Sequence, residues 1–411
     1  MTSTPSEGRQ TPAENLMDHD TSFTQDQISQ FEDHDGPILE KLAYEGESSL
    51  FAHAVFATKF LQNSVRNNSS SEVALEMASV LNALRGVIDA QKQQSDTIEN
   101  LYPNALPIPP GASLRQLPMP STEKALACLR MAQDSTPIQI LWLMDLQTIP
   151  EFTTHFIKVC SPGPATEADL IIFYLGLYWL FCEPSGAWNF ICAASNLSQS
   201  LGLHSSVMLD QETTEGKNQK TRLFWCIYTT EKMLALRIGR SSTIRENDIT
   251  VPSMTPEVLN DPFFSHSFFS QAFPVWIGMS TLQGRVYDEI YSPASLAQPA
   301  SVRTARARAL AEETKRLMAV EDDLQIKCEE QVSRKLGTML SQLCFRSERV
   351  TSLSMLTLIY RSIPPDKLGG SVFCDECIAT ARRAVKEHEK CVEIFTETEQ
   401  KSNYFLLYVN W

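Results

Sequence analysis

Four soft metal ligands lie close together late in the chain: Cys374, Cys377, His388 and Cys391. Two thiols three residues apart, followed by a His and a Cys three apart, are ligand types that suit the tetrahedral shell of zinc. The intervening IATARRAVKEHEK contains no turn residue and favours a helix. On a continuous helix Cys377 and His388 lie about 16 Å apart, too far to share one ion. Cys377, Ala381, Ala384, His388 and Cys391 instead follow helical spacing, which predicts one buried stripe. No metal is expected there.

Other chemically suggestive groups fare similarly. His19-Asp20 and His34-Asp35 have the form of metal-binding dyads in phosphohydrolases. They lie in an acidic segment with no surrounding shell to hold ligands in place. Asp322-Asp323 suggests an Asp-rich motif that gathers magnesium and diphosphate, but Leu324, Gln325 and Ile326 follow where a further carboxylate is needed. The basic run RTARARALAEETKR, from Arg303 to Arg316, interleaves with Ala and Leu and reads as the solvated face of a helix. No glycine-rich phosphate loop, dinucleotide fingerprint, nucleophile elbow or zincin motif occurs. The chain is expected to be no enzyme, with no catalytic, cofactor-binding or metal-binding residue.

Composition narrows the class further. Of 411 residues, 43% are hydrophobic and 20% charged, as in a globular protein with a sizeable core. The net charge of −14 argues against a folded surface that binds nucleic acid, because such affinity comes largely from cations on phosphate. Ten cysteines, most within apolar runs such as LYWLFCEP and RLFWCIYT, read as reduced thiols rather than a disulfide framework. The opening MTSTPSEGRQTPAEN lacks the apolar core of a secretory signal. The longest uncharged apolar run, Leu170 to Cys182, would span about 20 Å as a helix, short of a bilayer core of roughly 30 Å. An intracellular setting and no membrane contact are expected.

The elements that would position any site are helices. Residues 1–40 hold nine acids against one base, with few aliphatic residues, and are expected to form an acidic disordered tail. Helical patterns then run through about 44–61, from Glu72 (Val73, Met77, Val80, Leu84, Ile88), 122–133, 165–182, 185–201, 215–238, 265–290, 301–345, 348–361 and 374–398. A proline-rich connection occupies 101–120. No alternating strand pattern is found. The predicted fold is all-α: a large multi-helix domain over residues 41–411.

One stretch, Ala187 to Pro252, carries most information. Its first helix places Phe190, Ala194, Leu197 and Leu201 on one face. Gly202 suits the position just past the helix end, with Leu203 folding back on the last turn. Thr213 or Thr214 can cap the next helix, which carries Leu223, Ile227, Leu234 and Ile238, with Phe224, Trp225 and Tyr228 beside them. Gly239 ends it. GRSSTIRENDITVP then forms an extended strap, stopped from becoming helix by Pro252; Arg240 and Arg245 near Glu246 and Asp248 either pin it or are simple surface charge of little energetic value.

In order and spacing, AWxxxCxAxxLxxSLGLH, KxxTRLFWCIYxxEKxLALRIGR and DITVP resemble the regulatory domain, or middle homology region, of fungal zinc-cluster transcription factors. YEGESSLFA at Tyr44, ADLIIFYLGLYWLFCE at Ala168, LTLIYRSIPP at Leu356 and CIATARRAVKEHEKC at Cys377 resemble its flanking elements. The resemblance assigns a structural signature to Trp188, Leu201, Gly202, Leu203, Arg222, Leu223, Phe224, Trp225, Tyr228, Gly239, Arg240, Asp248 and Pro252. It implies an all-α regulator of transcription in the nucleus, acting through protein partners (a full-length regulator or itself) and controlling a metabolic or secondary-metabolite gene set. A small-molecule effector among Trp179, Trp188, Trp225 and Tyr228 is the alternative to those residues being plain core. Members carry an N-terminal cluster of six cysteines that binds zinc and docks on DNA. This chain has no cysteine before Cys128, so zinc and direct DNA contact are expected only through a module outside it. The chain also stops at FLLYVNW within an apolar helical pattern, so the domain is expected to be incomplete there. The competing readings are a helical enzyme for an apolar substrate and a non-functional remnant.

Overall fold

The computed structural model describes residues 48, 50–67, 77, 79–86, 122–133, 149–161, 165–180, 184–253, 269–365 and 372–397. These lie within one unit, Tyr44–Trp411. The acidic tail, the proline-rich connection and the C-terminal FLLYVNW lie outside the described residues.

Among the described residues the fold is helical, without strands. The helices are α1 Leu50–Asn67, α2 Thr122–Gln133, α3 Ile149–Cys160, α4 Glu167–Leu180, α5 Pro184–Ser200, α6 Ser206–Leu209, α7 Thr214–Arg237, α8 Phe269–Val286, α9 Pro293–Leu296, α10 Ala300–Leu336, α11 Thr338–Arg361 and α12 Asp375–Glu397. A single π-helical turn, Tyr287–Tyr291, follows α8. α3, α4, α5, α7 and α8 pack in succession, and α8, α10, α11 and α12 continue the stack.

Helix α4 is apolar on every side, and Ile171, Phe173, Tyr174, Leu175 and Leu177 are buried to 1% exposure or less. Full burial of each such side chain is worth about 1.5–3 kcal/mol, enough to place this helix at the centre rather than the surface. Gly176 makes that placement possible, because a Cβ there would overlap the Phe152 ring of α3. At the start of α4, Asp169 accepts from the Thr166 amide and hydroxyl, each at 2.7 Å. It also meets His155 at 2.9 Å and Lys158 at 2.6 Å, both from α3. Burial alone would raise the Asp169 carboxyl; these donors outweigh it and hold the group well below the usual carboxylate range.

Four sequence expectations are corrected. Helix α3 was not foreseen, although Phe152, Phe156 and Val159 follow helical spacing and are all buried. The long helix expected over 301–345 ends at Leu336. Gly337 has φ 80 and ψ 155, which no helix accommodates, and α11 starts immediately after it. In 79–86 the buried residue is Leu81, while Val80 is 51% exposed; Met77 and Leu84 of the expected stripe are half-buried. On α12 the stripe runs through Cys377, Thr380, Cys391 and Ile394, and His388 lies off it, exposed.

Candidate functional site beneath the strap

The elements of the Ala187–Pro252 stretch converge on α7. Helix α5 closes with paired bonds, Gly202 N–H to Gln199 O at 3.0 Å and Leu203 N–H to Ser198 O at 2.9 Å. Gly202 has φ 70. Helix α7 ends the same way: Gly239, φ 69, donates to Leu236 O and Arg240 to Ala235 O. Both are Schellman endings, in which a left-handed residue lets two amides cap the last carbonyls. Thr213 Oγ1 accepts from Gly216 N–H at 3.2 Å and caps α7 at its start.

The second Schellman ending turns the chain back along α7, and residues 240–253 become the strap. Ile244 and Val251 sink into the core to 2% and 4% exposure. Thr250 and Val251 both donate to His204 O, at 2.9 and 3.0 Å, and Trp225 Nε1–H donates to Pro252 O at 3.1 Å.

The strap is held chiefly by two neighbouring charged residues of α7. Glu231 is fully buried. Its carboxylate accepts from Thr243 N–H at 2.6 Å, Ser242 Oγ–H at 2.7 Å and Thr243 Oγ1–H at 3.1 Å. Thr243 Oγ1 also lies 2.9 Å from Ser195 Oγ of α5. Burial raises the Glu231 carboxyl above its ordinary range, and the strap's donors and Lys232 oppose that rise. Lys232, 2% exposed, donates to Ile244 O at 2.8 Å and pairs with Glu246 at 2.9 Å. Tyr228 OH donates to Glu246 Oε1 at 2.7 Å and meets Thr281 Oγ1 of α8 at 2.9 Å. Gly284 of α8 leaves room for Lys232, since a Cβ there would lie 3.1 Å from its Cδ. Buried polar groups with full sets of partners rigidify and specify a packing.

The signature residues divide by role. Phe224, Trp225, Tyr228, Trp188 and Leu203 are buried in the core, with Leu201 and Leu223 packed against it. Arg222 is also buried, and the Arg240 guanidinium lies over the Trp188 ring at 5.8 Å. Asp248 is exposed in a one-turn 3-10 helix, Glu246–Asp248. Lys232 and Glu231, which the sequence reading did not single out, hold the strap from beneath. Their signal was the Glu231-Lys232 pair inside an otherwise apolar helix, which reads as a surface interruption until the strap covers it.

A second polar centre lies where α8, α10 and α11 meet. A small cleft of about 20 Å³ is lined by Trp276, Leu324, Phe345, Glu321, Glu348 and Arg349. Ser352 Oγ–H donates to Glu321 at 2.9 Å, and Arg349 is engaged with Asp322. Burial pushes the Glu321 carboxyl up to about 7, against the pull of Ser352 and Arg349. Burial raises Glu348 well above its ordinary range, and the nearby Glu321 charge adds to that. The Asp322 side chain is 46% exposed, so its pair with Arg349 lies at the surface rim of this centre.

Among known families, residues 157–346 match the fungal specific transcription factor domain. The matched stretch spans both Schellman endings, the strap, Glu231 and Lys232. Three curated relatives match shorter stretches. A negative regulator of pleiotropic drug resistance from Candida glabrata is 30% identical over 29% of this chain and 12% of its own length. An uncharacterized transcriptional regulatory protein from Saccharomyces cerevisiae is 36% identical over 13% and 4%. An ABC-transporter-regulating transcription factor from Aspergillus oryzae is 30% identical over 27% and 13%. The matched stretches thus cover about an eighth or less of each relative. No solved structure matches the chain significantly.

Proposed function

We propose that this chain regulates transcription in the nucleus, through its helical domain and without catalysis. The observation that carries this reading is the domain match, which coincides with the residues that build and lock the strap. The printed roles of the relatives, regulators of drug resistance and of transporter genes among them, support control of a metabolic gene set. The acidic segment 1–40 has the composition of an activation tail. Protein partners, either a full-length regulator or a second copy, would bring the domain to DNA, because the chain's net charge of −14 disfavours phosphate. A small-molecule effector held among the helices would bias the packing that the strap secures. Among the described residues no helix is long and apolar enough to cross a membrane.

The test is a fusion of the full chain to a heterologous DNA-binding domain in a fungal reporter strain. Reporter output should change relative to the DNA-binding domain alone. Unchanged output at equal nuclear abundance of the fusion would sink the proposal.

A further inference from the structure

Cys374 and Cys377 are separated by only Asp375 and Glu376, at the start of α12. Cys374 is the residue immediately before the helix, and Cys377 lies in its first turn. The Cys377 amide donates to the Cys374 sulfur, so that thiol caps the helix. Both side chains face the end of α11: Cys374 Sγ–H donates to Tyr360 O at 3.5 Å and Cys377 Sγ–H to Thr357 O at 3.8 Å. Side chains three residues apart on a helix have Cβ atoms about 5–6 Å apart, and because Cys374 lies just before the helix, a small backbone shift there draws the two Cβ atoms to the roughly 3.5–4.5 Å that a disulfide needs. The pair is buried but shallow, being flanked by exposed Val372, Asp375 and Ala379.

We propose that Cys374 and Cys377 form a redox-active dithiol that closes to an intramolecular disulfide on exposure to peroxide. This rests on the placement of the pair alone and stands or falls independently of the role in transcription. Dithiol redox pairs use this same arrangement, two cysteines separated by two residues at a helix start, with the first sulfur receiving backbone amide hydrogen bonds. Cys374 attacks first. Its thiolate takes one peroxide oxygen, the O–O bond breaks and the departing hydroxide takes up the thiol's proton as water. Cys377 sulfur then attacks the resulting sulfenic acid, the S–O bond breaks and the Cys377 proton leaves with that oxygen as a second water. Two thiols lose two electrons and one peroxide gains them.

The order of attack follows from the surroundings. Burial pushes Cys377 up to about 11, with the Cys374 charge adding to the rise and Arg361 opposing it. Burial also raises Cys374, but there the Cys377 amide and the Arg308 charge favour the thiolate while Glu376 opposes it. The pair therefore rests as thiols at neutral pH and answers to sustained oxidant rather than to traces. Closing the disulfide removes both S–H bonds to α11 and so loosens the α11–α12 junction.

The experiment treats the full chain with graded hydrogen peroxide, blocks remaining thiols and maps the peptides by mass spectrometry. Exposed Cys160 is the internal gauge of dose. At doses that oxidise Cys160, the peptide holding Cys374 and Cys377 should lose about 2 Da and resist blocking until reduced. Cys374→Ser should abolish that loss, and Cys377→Ser should leave Cys374 carrying added oxygen. If both thiols of the native chain still take the blocking reagent at those doses, the inference fails. It fails equally if either gains oxygen in the native chain or pairs with another cysteine.

Discussion

The ammonium of Lys232 lies 2.8 Å from the main-chain carbonyl oxygen of Ile244, and this contact ties α7 to the strap that covers it. The lysine is buried, while its carboxylate partner, Glu246, is 44% exposed. The two ends of the pair therefore differ in what their removal costs.

Lys232→Met keeps the length and the apolar stem but leaves the Ile244 carbonyl buried without this donor. A loss of about 1–3 kcal/mol is expected. Glu246→Gln should lose under about 1 kcal/mol, because water can replace the carboxylate at an exposed position. Denaturant unfolding of both variants checks the order, and an equal or inverted ranking would refute the assignment of Lys232 as the principal tie.

Two glycines should respond differently to alanine. At Gly176 the new methyl group would overlap several ring carbons of fully buried Phe152, so α3 and α4 must separate. Overpacking of this kind costs roughly 1–3 kcal/mol or more. At Gly202 the cost is backbone strain at φ 70, about 1–2 kcal/mol, plus a contact with Met208. Met208 is 47% exposed and can move aside. Gly176→Ala should therefore show the larger drop in melting temperature; the reverse order would mean that Phe152 is free to shift.

Glu321 makes stability depend on pH with a definite sign. Its carboxyl is raised from 4.5 to about 7, so between those values the folded chain holds a proton that the unfolded chain has released. Stability from this group is therefore complete below about pH 4.5 and declines as pH rises through 7, by an amount on the order of 3 kcal/mol. Glu321→Gln should flatten that decline and leave the variant more stable than the parent at pH 8. Parallel pH profiles for the two chains would remove Glu321 as the source.

Much of the helical scaffold could be read from residue order. The apolar run at Ile171–Leu177, the cap at Thr213 and the left-handed glycines at 202 and 239 are local features. Each is dictated by the steric and hydrogen-bonding needs of its own turn. The Gly337 break was as local, but Leu336 before it and Met339 and Leu340 after it continue the apolar pattern and mask it. Helix α3 was obscured because Thr153, Thr154 and His155 dilute a short apolar stripe.

The candidate site belongs to a different level. Sequence alone determined a helical domain, two glycine-terminated helices and an extended segment after them, because period, caps and left-handed turns are properties of neighbouring residues. Only the tertiary structure decided that Glu231 and Lys232 point inward and hold that segment. A charged pair in a helix is stable against solvent by default, and it becomes an internal lock only when residues 12 or more positions away bring the amide of Thr243, the hydroxyls of Ser195 and Thr243, and the carbonyl of Ile244 over it. Long-range packing supplies those partners, and no local pattern in the chain encodes them.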